Sequence, residues 1–139
     1  LDLYFAQCSV LVTTTDLAMI GAAIANHGVH PSTGERVVAP AVARDMLTVA
    51  LTCGMYDYSG AWIFDVGMPA KSGVGGGIMA VLPGQFGLGI FSPPLDEKGN
   101  SVRGIKVFEE LSHLYSLHYL EAVFRGNTLG RILKGSSAT

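Results

Sequence analysis

Charge is scarce in this 139-residue chain: Asp, Glu, Lys and Arg make up 14% of it, against about a quarter in an ordinary soluble domain. Nine Lys and Arg stand against eleven Asp and Glu, a formal net charge of -2. That balance excludes a basic surface for nucleic acid or anionic lipid. Cysteine is nearly absent. Cys8 and Cys53 lie far apart and form no Cys-x-x-Cys, which argues against a disulfide framework or a four-thiolate zinc site and for a reduced, cytoplasmic setting. Histidines offer metal no better home: His27 and His30 flank a glycine turn, His113 and His118 are five apart, and neither pair has the i, i+4 spacing of a helical zinc site. No metal and no cofactor are expected. The opening LDLYFAQC lacks the basic region and cleavage pattern of a signal peptide and begins without Met inside an apolar pattern, so it reads as a cut end.

An unbroken apolar run is missing as well. Ser72 to Leu95 is uncharged and long enough by count to cross a bilayer. It holds seven glycines, Pro83 and Gln85, and each Gly costs a helix about 1 kcal/mol relative to Ala. Two buried strands, Gly77 to Leu82 and Phe86 to Phe91, joined at Pro83-Gly84-Gln85, fit the pattern better, and no membrane span is expected.

What the chain does have is apolar bulk: 49% hydrophobic residues and 18 glycines, with a mean hydropathy of +0.39. Disorder is excluded, and the length suits one core, which buries roughly 68–70% of the unfolded surface. So little charge on so apolar a chain suggests that part of its surface meets other protein. Leu1 to Val12 reads as a helix end running into an extended piece. Thr14, Thr15 and Asp16 offer capping oxygens to a helix over Leu17 to Asn26, stopped by Gly28. HPSTGE at His30 to Glu35 is a loop, and Pro40 opens a helix to about Cys53, ended by Gly54, with Val42, Met46, Val49 and Ala50 as its apolar face. Met55 to Gly60 looks too short and polar for a regular element. Trp62 to Val66 reads as a strand, and Gly67 to Gly75 as a loop. From Val102, the spacing of Ile105, Phe108, Leu111 and Tyr115 predicts an amphipathic helix lying on the sheet. The tail from about Gly126 should fray.

Few residues offer chemistry by pattern alone. GVGGG at Gly73 to Gly77 fits neither GxxxxGK[ST] nor GxGxxG. It reads as a crowded turn or as a place where a backbone N–H can approach a developing oxyanion. Lys71-Ser72-Gly73 matches the Lys-Ser/Thr-Gly triplet of the penicillin-recognising serine enzymes, although Lys71 is equally readable as a solvated side chain at a strand entry. Tyr56 by itself reads as a half-buried phenol and Tyr4, beside Phe5, as a core aromatic.

Five blocks in one order change this reading: LDLYFAQCSV at Leu1 to Val10, ANHGVHPSTGERV at Ala25 to Val37, CGMYDYSG at Cys53 to Gly60, PAKSGVGGGI at Pro69 to Ile78 and SPPLDEKGNS at Ser92 to Ser101. With them the chain resembles the serine-dependent glutaminases, whose fold is related to that of the β-lactamases. The resemblance covers residues 1–118 and implies the C-terminal portion of a glutaminase domain, with 119–139 a helix end and frayed tail. The implied fold is α+β, an antiparallel sheet flanked by helices, a partial serine β-lactamase/penicillin-binding-protein-like architecture.

The activity it implies is hydrolysis of L-glutamine to L-glutamate and ammonia through a covalent glutamyl-serine intermediate. Carried over position by position, Tyr4 contacts substrate, Tyr56 sits against nucleophile and substrate as the proton carrier, and Val74 lends its backbone N–H to the oxyanion hole. Lys71 is a candidate cation to lower the pKa of Tyr56, which is near 10 for a free phenol. Without that help Tyr56 remains a hydrogen-bond donor or the acid that protonates ammonia. The family's nucleophile lies in Ser-x-x-Lys, and no serine here has a lysine three residues on. The resemblance therefore implies that the nucleophile lies upstream, that this chain alone is inactive, and that its partners are the missing N-terminal part of the same domain and, as a homo-oligomer, further copies. The rival readings are a non-catalytic binding or regulatory module of the same fold, and a β-lactamase or peptidase relative.

Overall fold

The structure, a computed structural model, describes residues 1–125 together with Gly135; Gly135 aside, the tail expected to fray falls outside them. Among the described residues six α-helices and three strands follow in the order α1 (Asp2–Cys8), α2 (Thr14–Ala25), α3 (Pro40–Cys53), α4 (Ser59–Asp65), β1 (Ala70–Ser72), β2 (Gly77–Leu82), β3 (Phe86–Phe91), α5 (Val102–Tyr115) and α6 (Tyr119–Arg125). The sheet is antiparallel in the order β1-β2-β3. An α+β architecture with helices on both faces of an antiparallel sheet is therefore observed, as the sequence implies.

Side-chain alternation sorts the layers. Ile78, Ala80 and Leu82 of β2 stand opposite Ile90, Leu88 and Phe86 of β3. They face a core built by Trp62 of α4, Ile105 and Phe108 of α5, and Met55 and Met68 from the connections. The α5 helix thus lies on the sheet, with Ile105 and Phe108 buried and Leu111 and Tyr115 partly buried against the same core. It starts where the Ser101 hydroxyl accepts from the Gly104 N–H at 3.1 Å.

On the other face, Gly87 and Gly89 let α2 settle onto β3: a Cβ at Gly87 would come 2.3 Å from the Ala22 nitrogen. The helix begins at Thr14, three residues before the expected Leu17, and its cap lies one residue ahead of the expected capping oxygens. Thr13 is the cap, its hydroxyl accepting from the Asp16 N–H while the Asp16 carboxylate accepts from the Thr13 N–H at 2.7 Å and from its hydroxyl at 2.8 Å. Those two bonds, the backbone one first, hold the Asp16 carboxyl below its usual range.

Three expectations are corrected. Trp62 to Val66 is not a strand: residues 62–65 end α4 and Val66 is its C-cap. In a strand Trp62, Phe64 and Val66 would share one face; instead Trp62 and Val66, four apart, are buried while Phe64 is 84% exposed, the signature of a helix. The Trp62 indole donates to the Met68 carbonyl at 2.7 Å and sets its ring edge-on to Phe108. Gly67 to Gly75 is not wholly loop, because Ala70–Ser72 pairs with β2, and the segment judged too polar for structure holds a 3₁₀ turn at Tyr56–Tyr58 and the start of α4. In α3 the expected bounds hold, but Val42, Met46 and Val49 are exposed and only Ala43 is buried. With Ile24, Met79 and Val81 they line an apolar groove of about 560 Å³ beside the sheet.

Candidate active site

Gly54 ends α3 and the chain turns sharply, so that Tyr56 adopts φ 54. For a bulky residue this left-handed backbone costs on the order of 1–3 kcal/mol and persists only when its surroundings dictate it. Here they do. The Met55 N–H donates to the Ser59 hydroxyl at 3.0 Å, that hydroxyl donates to the Tyr56 carbonyl at 2.8 Å, and the Asn100 amide donates to the Met55 carbonyl at 3.2 Å.

The phenol so presented reaches β1, where its hydroxyl donates to the Ser72 carbonyl at 3.2 Å. Lys71 donates to the same carbonyl oxygen, and its ammonium lies 4.5 Å from the centroid of the Tyr56 ring, within cation–π range. No carboxylate among the described residues pairs with Lys71.

Immediately after β1, the chain reverses through a tight turn in which the Gly73 N–H donates to Gly77 and the Gly76 N–H to Gly73, both at 2.9 Å. Val74 sits at the tip. Its side chain is 72% exposed, and among the described residues its backbone N–H meets no acceptor. Gly99 joins this turn to Tyr56, since a Cβ placed there would lie 3.8 Å from the Tyr56 ring and 3.8 Å from the Val74 side chain. Tyr56, from the connection between α3 and α4, is thus brought to Lys71 and Val74 around the end of one strand.

Tyr4 stands apart. It is exposed on α1 with its ring 6.1 Å from that of Phe5, not in the core its neighbour suggested. A groove of about 830 Å³ runs from Cys8 at the end of α1, and Val10 and Leu11 just beyond it, to Lys71, Ser72 and Gly73, and Tyr4 is not part of its lining. Among the described residues no group of three or more His, Cys, Asp or Glu is placed to hold a metal, and no helix is long and apolar enough to cross a membrane.

Two contributors were not legible beforehand. Ser59 and Asn100 lie inside CGMYDYSG and SPPLDEKGNS, but nothing in either block marks them as the groups that hold Tyr56. A Gly-Asn pair signals only a turn. Asn100 is fully buried, and its Oδ1, with the Ser72 Oγ, is a buried side-chain atom that has no partner among the described residues.

The arrangement brings together a phenol in contact with a cation and an unpaired backbone donor at a glycine-rich turn, groups that can move a proton and donate to a developing oxyanion. The family model Glutaminase matches residues 1–120. A glutaminase of Trichormus variabilis is 58% identical over 123 residues, covering 88% of this chain and 37% of that protein. Among solved structures, Mglu in its glutamate form superposes with a TM-score of 0.80 at 53% identity, covering 84% of this chain and 26% of that one. The Bacillus subtilis glutaminase in covalent complex with 5-oxo-L-norleucine, formed by reaction with 6-diazo-5-oxo-L-norleucine, gives a TM-score of 0.80 at 41% identity, over 83% of this chain and 42% of that one. The 139 residues therefore span well under half the length of these relatives.

Proposed function

Because this chain belongs to the glutaminase family, we propose that it forms part of a catalytic unit hydrolysing L-glutamine to L-glutamate and ammonia. The observation that carries the reading is the meeting of Tyr56, Lys71 and the unpaired Val74 N–H at the end of β1.

In the proposed reaction a serine hydroxyl adds to the carboxamide carbon of the glutamine side chain. The oxygen of that carboxamide becomes an oxyanion and accepts from the Val74 N–H. Collapse of the tetrahedral intermediate breaks the C–N bond, and the leaving nitrogen takes a proton as it departs as ammonia. We assign the proton relay to Tyr56, a hydrogen-bond donor at the Ser72 carbonyl: its phenol gives its proton to that nitrogen while its oxygen takes up the proton released by the serine hydroxyl. The adjacent Lys71 ammonium favours any negative charge that develops on the phenol oxygen. Water then hydrolyses the glutamyl-serine ester and releases glutamate.

The nucleophile belongs to a Ser-x-x-Lys motif that these 139 residues do not contain, so the unit is completed by further sequence. Tyr4, exposed on α1, takes its substrate contact in that completed site. Residues 1–118 form the share of the glutaminase domain described here. The covalent adduct recorded for the Bacillus subtilis enzyme and the glutamate form of Mglu support an acyl-transfer site for a glutamyl group. In this reading the completed protein is also a homo-oligomer.

Ammonia release from L-glutamine tests the reading, measured on this chain and on a full-length protein that also carries Ser-x-x-Lys. Activity confined to the longer protein is expected. A folded longer protein that releases no ammonia from glutamine would overturn the assignment in favour of a non-catalytic module of the same fold.

A further inference from the structure

The hydrogen bonds behind Tyr56 do more than fill a turn. Three backbone groups of the Met55–Tyr56 unit, the Met55 N–H, the Met55 carbonyl and the Tyr56 carbonyl, are each engaged by a buried side chain, two by nearby Ser59 and one by Asn100 from a distant turn. Ser59, at the first residue of α4, takes two of them through one hydroxyl, accepting at 3.0 Å and donating at 2.8 Å. Asn100 takes the third from a turn whose own backbone is locked, its N–H donating to the Asp96 carboxylate at 2.9 Å and its carbonyl accepting from the Asp96 N–H at 2.8 Å. A Cβ at neighbouring Gly99 would touch the Tyr56 ring and the Val74 side chain.

We propose that Ser59 and Asn100 are positioning residues for Tyr56, holding its left-handed backbone so that the phenol stays against Lys71 and the Ser72 carbonyl; this rests on the reading of Tyr56 as the proton carrier. The chemistry of the two side chains supports the assignment. The Met55 N–H and the Tyr56 carbonyl need an acceptor and a donor respectively, and a hydroxyl supplies both through a single oxygen. An amide supplies the remaining donor. A backbone at φ 54 without these bonds relaxes toward negative φ, which swings the ring away from β1. Displacement of a proton carrier by about 1 Å costs up to roughly a hundredfold in rate.

The experiment is a set of double-mutant cycles on kcat and KM in the full-length protein. Ser59→Ala and Asn100→Ala should each lower kcat about ten- to a hundredfold with little change in KM. Ser59→Thr, which keeps the hydroxyl, should restore most of the rate. In a Tyr56→Phe background the same alanine substitutions should cost almost nothing further in kcat, because the group they position is gone. Effects that multiply with that of Tyr56→Phe, or an unchanged kcat in both alanine variants, would overturn the positioning role while leaving Tyr56 as proton carrier. If Tyr56→Phe alone leaves kcat intact, the underlying reading fails and the positioning role with it. Should Ser59→Ala not fold, Asn100→Ala, which leaves the Ser59 bonds in place, decides between the same outcomes.

Discussion

The Lys71 ammonium stands 4.5 Å from the centroid of the Tyr56 ring, and both side chains donate to a single oxygen, the carbonyl of Ser72. A phenol and a cation that share an acceptor are coupled: moving or discharging one alters the electrostatics felt by the other.

Tyr56→Phe removes the proton-bearing oxygen and leaves the ring against Lys71. In the full-length protein it should lower kcat by about 10²–10⁴, the usual worth of a positioned acid or base, with a smaller effect on KM. Lys71→Met should also reduce kcat, since it deletes the cation while keeping a side chain of similar length. Steady-state kinetics on glutamine distinguishes the cases, and an unchanged kcat for Tyr56→Phe sinks its role as proton carrier.

Val74 acts through its main chain, so its side chain should be nearly free to vary. Val74→Ala is expected to leave kcat/KM within a few-fold of the parent. Val74→Pro deletes the N–H at a turn position whose neighbours, Gly73 and Gly76, close the hydrogen bond without it, and proline suits the second residue of such a turn. Loss of about 2.7–4 kcal/mol of transition-state stabilisation should follow, with melting temperature little changed. A Pro variant as active as the Ala variant would exclude this donor from the reaction.

Much of this site was legible in residues, and much less in geometry. The hairpin and the long C-terminal amphipathic helix follow from apolar spacing and turn residues, because the period of burial is printed in the sequence. Trp62 to Val66 misleads because five apolar-rich residues are too few to separate a period of two from one of 3.6. Only the exposure of Phe64 between buried Trp62 and Val66 decides it. The apolar stripe of α3 was correctly located, yet a stripe says nothing about what covers it. The triplet Lys71-Ser72-Gly73 points to the end of β1. Ser59 uses a local serine-to-backbone pattern, 3 and 4 positions back, that any turn serine can adopt, whereas Asn100 acts on a carbonyl 45 positions away, a relation no spacing rule encodes.

Tyr58 makes stability depend on alkaline pH. Burial first, and then the negative charge of Glu109, whose carboxylate accepts from the phenol at 3.3 Å, raise its pKa above the ordinary value of 10.0. The folded chain thus holds this proton more tightly than the unfolded one. The resulting stabilisation is fully present below about pH 10 and is lost as pH rises through the folded-state value. Denaturant unfolding of the parent and Tyr58→Phe should therefore show a stability difference that favours the parent at pH 8 and closes above about pH 10. A difference independent of pH would mean that Tyr58 titrates alike in both states.

The seat of α2 on β3 depends on absent side chains. A Cβ at Gly87 would lie 2.3 Å from the Ala22 nitrogen, 2.4 Å from the Gly21 carbonyl carbon and 2.5 Å from the Ala18 oxygen, all backbone atoms of the helix that cannot rotate aside. Gly87→Ala must lift α2 from the sheet and should destabilise by about 1–3 kcal/mol or more. Gly60 is the natural control: it is exposed within α4, and a Cβ there meets nothing within 4 Å. Gly60→Ala should therefore stabilise by about 0.5–1 kcal/mol through helix propensity and reduced unfolded-state entropy. Opposite signs for the two substitutions in chemical denaturation would establish that close backbone packing, and not the general cost of replacing glycine, fixes α2 against the sheet. Equal effects would refute it.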